Sequence, residues 1–385
     1  MSERTSPVTE GSQLSRRYFL KAAGGLGLTV AGMGLLEACG VKPAATGGTL
    51  ETTTIRIPLA NTISICMAPL YVAETLLKAA GFTNVQYTQA VGTDLSVGAL
   101  VAGTGDITMQ FSGPSMLYLD AGKPVTMLAG VHVGCFVLFG SSQIQQISDL
   151  KGKTIAVAQL GGAEHIYLSS MLANVSIDPT KDVSWTTSPV PETKQLFIDG
   201  KIDAILAFPP TAQELQARRI GHVVVNSMMD QPWSDYFCCM VTVSQAFLQK
   251  NPVATKAALR AILQATDICA LQPERPAKLM VDKGFSTNYE YTLAAMQQIP
   301  YNRWRVYNPE DTIRFYALLL RGVGMIKSTP DELIKQGTDW TFLKQLKAEL
   351  PATPAPAGAL AATRNLFCPV PGGRGAGAQQ SLPKG

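Results

Sequence analysis

The chain has 385 residues, of which 46% are hydrophobic and 16% are charged, so it can bury the cores of about two domains of ~150 residues each. Its formal net charge is only +4, and the basic excess lies mainly near the two ends of the chain. With no basic stripe in the middle and only seven scattered cysteines, the composition argues against a nucleic-acid-binding protein and against a disulfide scaffold.

The N-terminus has the pattern of an export signal. Residues 15–21, with the sequence SRRYFLK, precede an apolar stretch from Ala22 to about Leu36. A cationic start followed by so short an apolar stretch is typical of a signal peptide and not of a membrane-spanning helix. The pair Arg16-Arg17 resembles the consensus of the twin-arginine export route, so we expect an extracytoplasmic protein.

The predicted signal segment, residues 1–39, ends at Cys39. Residues 36–39 (LEAC) resemble a bacterial lipobox, except that Glu37 replaces the small residue usual at that position. We expect Cys39 to be acylated and to hold the protein at the membrane; the alternative is an ordinary cysteine beside a cleavage site. Residues 40–53 are small and polar and predict a flexible tether.

From residue 54 onward, short apolar runs alternate with helical patterns in an order that occurs twice. The first series predicts strands at 55–59, 85–89, 106–111 and 125–131, with helices at 69–80, 94–102 and 114–122. The second predicts strands at 153–158, 183–187, 204–208 and 222–225, with helices at 163–174, 192–199 and 211–219. Strands that alternate with helices predict parallel βαβ units and therefore two α/β lobes.

One stretch of the two series aligns at a constant offset of 97 residues. Its matching positions are a glycine, an aspartate and a phenylalanine: Gly103, Asp106 and Phe111 in the first series, and Gly200, Asp203 and Phe208 in the second. In both copies a glycine suits the left-handed position that ends a helix before a buried strand. The shared offset favours an internal duplication over a chance repeat.

The last third of the chain is mainly helical. After a predicted strand at 237–243, we expect helices at 252–271, 275–283, 289–298 and 309–325 and two shorter ones up to residue 350. Asn-Pro and Thr-Pro pairs at 251–252, 308–309 and 329–330 are helix-start signals. Residues 351–385 are rich in Ala, Pro and Gly and predict a disordered tail.

Residues 55–350 resemble the nitrate/sulfonate/taurine family of ABC-transporter binding proteins. The resemblance rests on residues 68–74 (APLYVAE), 102–107, 121–125, 149–157 (DLKGKTIAV) and 200–204. It implies a two-lobed α/β fold of the periplasmic-binding-protein type II kind, in which each lobe has a doubly wound, mostly parallel sheet and extra helices follow. The first lobe would comprise residues 54–139 and 237–350 and the second residues 140–236. The crossing strands would lie at 131–139 and 237–243.

The resemblance also implies a function. The protein would capture a small organic or oxyanionic ligand of the sulfonate, taurine or nitrate class by hinge closure and deliver it to the permease and ATPase subunits of an ABC importer. Alternatives are a binder of a thiamine-pyrimidine-like or other neutral heteroaromatic ligand, a ligand sensor without transport, and, less favoured, a pyrimidine-precursor synthase of the same fold family. Because the sequence contains no P-loop, G-x-S-x-G, H-E-x-x-H or C-x-x-C motif, we expect no enzyme, no cofactor and no metal. We expect a monomer.

Ligands of open α/β sheets bind beyond the carboxyl ends of the strands. This rule selects five loops, residues 61–67, 91–94, 111–114, 160–165 and 208–211. The candidate ligand-binding residues in them are Thr62, Ser64, Cys66, Thr93, Asp94, Phe111, Ser112, Gly161, Gly162, Glu164, His165, Phe208 and Pro209. None of the five loops contains Arg or Lys, and Glu164 would repel an anion if it faced the cleft. Both observations argue against an anionic ligand and leave room for a neutral or cationic one.

The crossing segments contain the remaining residues of interest. His132 lies on the first predicted crossing and is expected to pack in the hinge. Cys238 and Cys239 lie on the second, and because neighbouring side chains of a strand point to opposite faces, joint chelation of one metal ion by these two is not expected. A disulfide from Cys135 to one of them is an alternative to simple burial.

Overall fold

The computed structural model describes residues 49–59, 64–89 and 96–351. The predicted signal segment with Cys39, most of the tether and the tail from residue 352 lie outside the described residues, as do the candidate residues Thr62, Thr93 and Asp94. In the part of the chain that is described, no helix combines the length and the apolar character that a membrane span requires.

The described strands form three sheets. They are β1 (Thr54–Leu59), β2 (Asn84–Gln89), β3 (Ile107–Phe111), β4 (Val125–Val133), β5 (Val137–Gly140), β6 (Thr154–Val157), β7 (Ser184–Thr187), β8 (Ala204–Ala207), β9 (His222–Asn226) and β10 (Phe237–Ser244). β1 pairs with β2 in parallel, and β10 lies between β3 and β4, antiparallel to both. The third sheet has the order β7-β6-β8-β5-β9.

The helices surround these sheets. They are α1 (Ala68–Ala79), α2 (Ser96–Val101), α3 (Ser112–Asp120), α4 (Ala163–Asn174), α5 (Val190–Ile198), α6 (Thr211–Ala217), α7 (Gln245–Lys250), α8 (Pro252–Leu271), α9 (Glu274–Asp282), α10 (Tyr289–Gln298), α11 (Pro309–Gly322), α12 (Pro330–Gly337) and α13 (Thr341–Glu349). The three predicted start signals all begin helices, and the side chains of Asn308 and Thr329 accept backbone N–H groups of α11 and α12. At α8 the carboxylate of Glu51 accepts the first free N–H groups instead.

The chain crosses twice between the β3-β10-β4 sheet and the five-stranded sheet, which gives the two lobes. The first crossing is residues 134–136 and the second residues 227–236. The five-stranded sheet is mixed, and the first lobe combines the parallel β1-β2 pair with the antiparallel β3-β10-β4 sheet. Each of the two larger sheets receives one strand from a chain segment that has just crossed from the other lobe: β5 in the five-stranded sheet and β10 in the three-stranded sheet. Both strands run antiparallel to their neighbours.

The first crossing is not the continuous strand predicted at 131–139. It breaks at Gly134, whose φ is +41°. A Cβ at this position would lie 2.1 Å from the carbonyl oxygen of Ser227 on the second crossing, so only glycine permits the close approach of the two crossing segments. The segments are also hydrogen-bonded, since the Ser227 hydroxyl accepts the Phe136 N–H at 3.0 Å and donates to the Phe136 carbonyl at 2.6 Å.

The two lobes repeat one local arrangement at the positions aligned in the sequence. The Asp106 carboxylate accepts the backbone N–H of Arg56 on β1 at 2.8 Å, and the Asp203 carboxylate accepts that of Thr154 on β6 at 2.9 Å. The glycine three residues earlier has a positive φ in both copies, +72° and +68°. An aspartate at the start of one strand that accepts a backbone N–H from an earlier strand of the same lobe therefore occurs once in each half.

The C-terminal helices contact both lobes. α8 packs against α1, and α11 packs against α3 as well as α4. The Gln213 side chain on α6 donates to Gln298 on α10 at 2.8 Å. These contacts hold the lobes close together around the crossings.

Candidate functional site

Two of the predicted cleft loops meet directly. The loop that follows β1 contacts the loop that follows β8, because the Ser64 hydroxyl donates to the Pro209 carbonyl at 3.3 Å and the Ile65 N–H donates to the same oxygen at 3.4 Å. Ser64 and Pro209 were both candidates from the sequence. The carboxyl ends of strands from the two lobes therefore face each other, and the cleft is closed at this point.

The two candidate phenylalanines, Phe111 and Phe208, lie on opposite lobes and contact the same ring. Phe136, on the first crossing, has its ring centroid 4.8 Å from that of Phe111 and 6.4 Å from that of Phe208, the latter edge-on. The Tyr167 ring packs on Phe136 at 4.6 Å. Phe208 is buried and Phe111 half-buried, so this aromatic cluster joins the lobes at the crossing and contributes an apolar wall beside it.

The glycine loop before α4 is shaped by His165. The Gly161 N–H donates to Nδ1 of His165 at 3.1 Å, and Gly161 has a φ of +78°. Because Nδ1 accepts this bond, Nε2 carries the proton of the neutral ring. Burial lowers the pKa of His165, and its ring stands edge-on to Trp185 at 4.7 Å. His165 is thus held in its neutral form by the loop that it supports.

Glu164 lies in the first turn of α4, two residues after Gly162. Burial raises the pKa of its carboxyl group above the ordinary value. Glu164 is not among the residues that line the cavity described next, so the predicted repulsion of an anion is not tested there.

A cavity of about 280 Å³ lies between α3 of the first lobe and the glycine loop of the second. It is lined by Pro114, Leu117, Tyr118, Ala121, Lys123, Gln159, Leu160 and Gly161. Sequence reasoning missed Tyr118, Lys123 and Gln159, because they lie outside the five strand-end loops; Lys123 follows the turn that ends α3. A larger cavity of about 990 Å³ lies on the outer side of the first lobe, between α1 and α9, away from both crossings.

Below the Ser64–Pro209 contact, four residues form a buried set that we call the Cys/His cluster: Cys66, His132, Cys135 and Cys239. Their sulfur and imidazole nitrogen atoms all lie within 4.8 Å of one another, and the four residues are fully buried. The Ser64 hydroxyl lies 3.1 Å from the sulfur of Cys66. Cys66 therefore lies beneath the cleft surface, as part of this cluster, and not on the surface where the loop rule had placed it.

The sequence did not predict the cluster, because the pairing register of β4 and β10 decides which of their residues lie side by side. Cys239 on β10 pairs directly with His132 on β4, although the two residues are more than one hundred positions apart in the sequence. Of the adjacent Cys238 and Cys239, Cys239 belongs to the cluster. Cys238 instead has its sulfur 3.1 Å from that of Cys135, and both thiols are free.

Comparison with known proteins places this fold among binding proteins. The model of the NMT1-like family matches residues 50–281. The binding protein YtlA of Bacillus subtilis is 27% identical over 226 residues, which cover 56% of this chain and 66% of that protein. The nitrate/nitrite binding protein NrtA of Synechococcus elongatus is 25% identical over 359 residues, 80% of this chain and 79% of that protein.

A solved structure gives the same result for the fold. The periplasmic nitrate-binding protein NrtA of Synechocystis PCC 6803 superposes with a TM-score of 0.67 at 16% sequence identity, covering 80% of this chain and 92% of that one. The likeness confirms the two-lobed periplasmic-binding-protein fold that the sequence motifs had implied.

Proposed function

We propose, from the premise that this chain belongs to the NMT1-like family, that it is the extracytoplasmic solute-binding component of an ABC importer. It captures a small solute between its two lobes and presents the closed form to a permease, whose transport is driven by an ATPase subunit. The relatives described above are binding proteins, and this supports a binding role over a catalytic one. The twin-arginine signal and acylated Cys39 would place the protein on the outer face of a membrane.

The observation that carries the proposal is the meeting of the two lobes at their strand-end loops. The contact of Ser64 with Pro209 and the nearby cavity both lie between the lobes. A solute in the cavity would contact Leu117 from one lobe and Gly161 from the other. Contacts made to both lobes at once stabilise the closed state relative to the open one, which is the thermodynamic condition for capture by closure.

The lining of the cavity favours a small solute with an anionic end and an apolar end. Lys123 supplies a cation, Tyr118 and Gln159 supply polar groups, and Leu117 and Leu160 supply apolar surface. Alkanesulfonates fit this description, whereas nitrate, which the NrtA relative is named for binding, would use only the cationic and polar part of the lining.

A second candidate ligand is a neutral heteroaromatic ring of the thiamine-pyrimidine kind. The observation in its favour is the aromatic cluster of Phe111, Phe136 and Phe208, which meets from both lobes at the first crossing. A flat ring could stack on the half-buried Phe111 when the lobes open.

The test is a thermal-shift screen of the mature protein, followed by calorimetric titration, with nitrate, taurine, alkanesulfonates and a pyrimidine. We expect one class to raise the melting temperature by mass action. The variant Gly161→Ala should weaken the affinity for that ligand about tenfold or more, because a side chain at positive φ distorts the loop and adds a methyl group on the cavity wall.

The matched control is Gly152→Ala. Gly152 has a φ of +75° and open space around its Cβ position, like Gly161, and it belongs to the same lobe but lies outside the cavity. The two variants should lose similar stability, and the control should keep the affinity of the wild type. Equal losses of affinity in both, or no ligand from any of these classes, would contradict the proposed function.

A further inference from the structure

The Cys/His cluster contains the donor atoms of a metal site. Three thiols and one imidazole converge from three separate parts of the chain: the turn before α1, the end of β4 with the crossing after it, and the start of β10. All four residues are shielded from solvent. No residue of the proposed solute cavity belongs to this set.

The orientation of His132 points independently to a ligand. Its Nδ1 lies 3.3 Å from the carbonyl oxygens of Val133 and Gly134, which can only accept, so Nδ1 carries a proton. Its Nε2 is fully buried and has no hydrogen-bond partner among the described residues. A buried nitrogen of this kind costs free energy unless something binds it. A backbone carbonyl on one imidazole nitrogen and a metal on the other is the usual arrangement around metal-binding histidines.

A disulfide explains the arrangement of the four donor atoms less completely than a metal ion does. The sulfur of Cys135 lies 3.1 Å from that of Cys238, so an oxidised pair is the competing explanation. It would use one thiol of the cluster and leave Nε2 of His132 without a partner, together with the thiols of Cys66 and Cys239. Only a group with several coordination positions satisfies all four donors.

We propose that Cys66, His132, Cys135 and Cys239 bind one zinc ion in a closed tetrahedral site. Three cysteines with one histidine is a donor set of structural zinc sites, and full burial leaves no open position for water or substrate. Zinc bonds of about 2.3 Å to sulfur separate tetrahedral donors by about 3.8 Å. The donors lie within 4.8 Å of one another, about 1 Å more than that spacing.

Such an ion would fix the first crossing to the first lobe. It would join the first crossing to β10 and to the turn that contains Cys66. Two residues before Cys66, the Ser64 hydroxyl contacts both the Cys66 sulfur and the Pro209 carbonyl. Zinc would thus set the position of the cleft loop without touching the solute.

The experiment measures metal on the full-length chain, purified with a reducing agent. We expect about one zinc per chain by mass spectrometry of the metals, retention of zinc on dialysis, and a higher melting temperature with zinc than after chelation. Cobalt exchanged into the site should give the visible and charge-transfer absorption of tetrahedral cobalt thiolate.

The variants Cys239→Ser and His132→Gln should lose the stoichiometric zinc and the cobalt spectrum. Cys269→Ser is the control, because Cys269 is equally buried on α8 but is not part of the cluster; it should keep both signals. Cys238→Ser should also keep them, since Cys238 is beside the cluster and not within it. The comparison of the wild-type protein with and without zinc requires no variant, so a folding defect in one variant does not remove the test.

Three results would overturn the proposal. The first is a wild-type chain without stoichiometric metal, or with iron or copper in place of zinc. The second is zinc retained by both Cys239→Ser and His132→Gln. The third is a Cys135–Cys238 disulfide in the protein as isolated from the cell envelope, detected by peptide mapping. None of these results would bear on solute binding, which the titrations measure separately.

Discussion

Replacing Asp106 by Asn tests whether the two copies of the repeated aspartate differ in their contribution to stability. Asn has nearly the same shape and keeps an oxygen for the Arg56 N–H, so the change removes mainly the charge. The matched variant is Asp203→Asn, which keeps the bond to the Thr154 N–H in the same way. The two variants therefore compare one substitution at equivalent positions of the two lobes.

The surroundings of the two carboxylates predict unequal losses. Asp106 also accepts from Nε of Arg56 at 3.1 Å and from its Nη2 at 2.5 Å, and the exposed fraction of its side chain is 5%. Hydrogen bonds to charged groups contribute about 1.5–3 kcal/mol, and partial exposure of Arg56 reduces this, so we expect a loss of about 2 kcal/mol. The Asp203 side chain is 31% exposed, and its ion pair with the Lys153 amine is long, at 4.0 Å. Asp203→Asn should therefore lower the free energy of unfolding by only about 0.5 kcal/mol.

Urea unfolding of the mature protein, followed by circular dichroism, gives both free energies. A double-mutant cycle that adds Arg56→Gln should show a coupling energy of about 1–2 kcal/mol with Asp106→Asn. A loss in Asp203→Asn equal to or greater than that in Asp106→Asn would refute the reasoning, because burial and geometry would then not decide the strength of the pair.

Two further predictions concern packing and export. A methyl group at Gly337 would lie 2.3 Å from a methyl carbon of the buried Leu119, so Gly337→Ala should lower the free energy of unfolding by about 1–3 kcal/mol. The control Gly322→Ala has open space at the end of α11 and should be neutral or stabilising by up to about 1 kcal/mol. Equal melting temperatures of the two variants would contradict this prediction. Changing Arg16 and Arg17 to Lys should abolish export while Lys21→Arg leaves it intact, which cell fractionation measures; wild-type accumulation of the double variant outside the cytoplasm would count against the twin-arginine route.

Local patterns predicted the elements of the fold well because their causes are local. Glycine at a helix end, proline in a first turn and alternating apolar runs act within a few residues, and the helix starts at Pro252, Pro309 and Pro330 follow from them. The direction of β5 and β10 within their sheets was not accessible in this way. It depends on which lobe the chain leaves before each strand, and no short segment contains that information.

In the candidate site too, residues that follow from local patterns were predicted, and residues placed by long-range packing were not. The strand-end rule selected Ser64 and Pro209, and these residues do meet between the lobes. Lys123 was missed because it follows a helix and enters the cavity through the packing of α3. Phe136 was missed because its role comes from a break in the crossing, which only the close approach of Ser227 to Gly134 explains.

A rigid metal site and a moving hinge are compatible when the site lies near the rotation axis. When two lobes rotate about their crossings, atoms close to the axis move least and atoms at the cleft rim move most. The Cys/His cluster takes one residue from the first crossing and one from the start of β10, where the second crossing ends. The Ser64–Pro209 contact joins the two lobes, so opening of the cleft must separate these two atoms. With zinc bound, the cluster would hold the segment around Gly134, so we expect opening of the cleft to bend residues 227–236, which contain none of the four cluster residues.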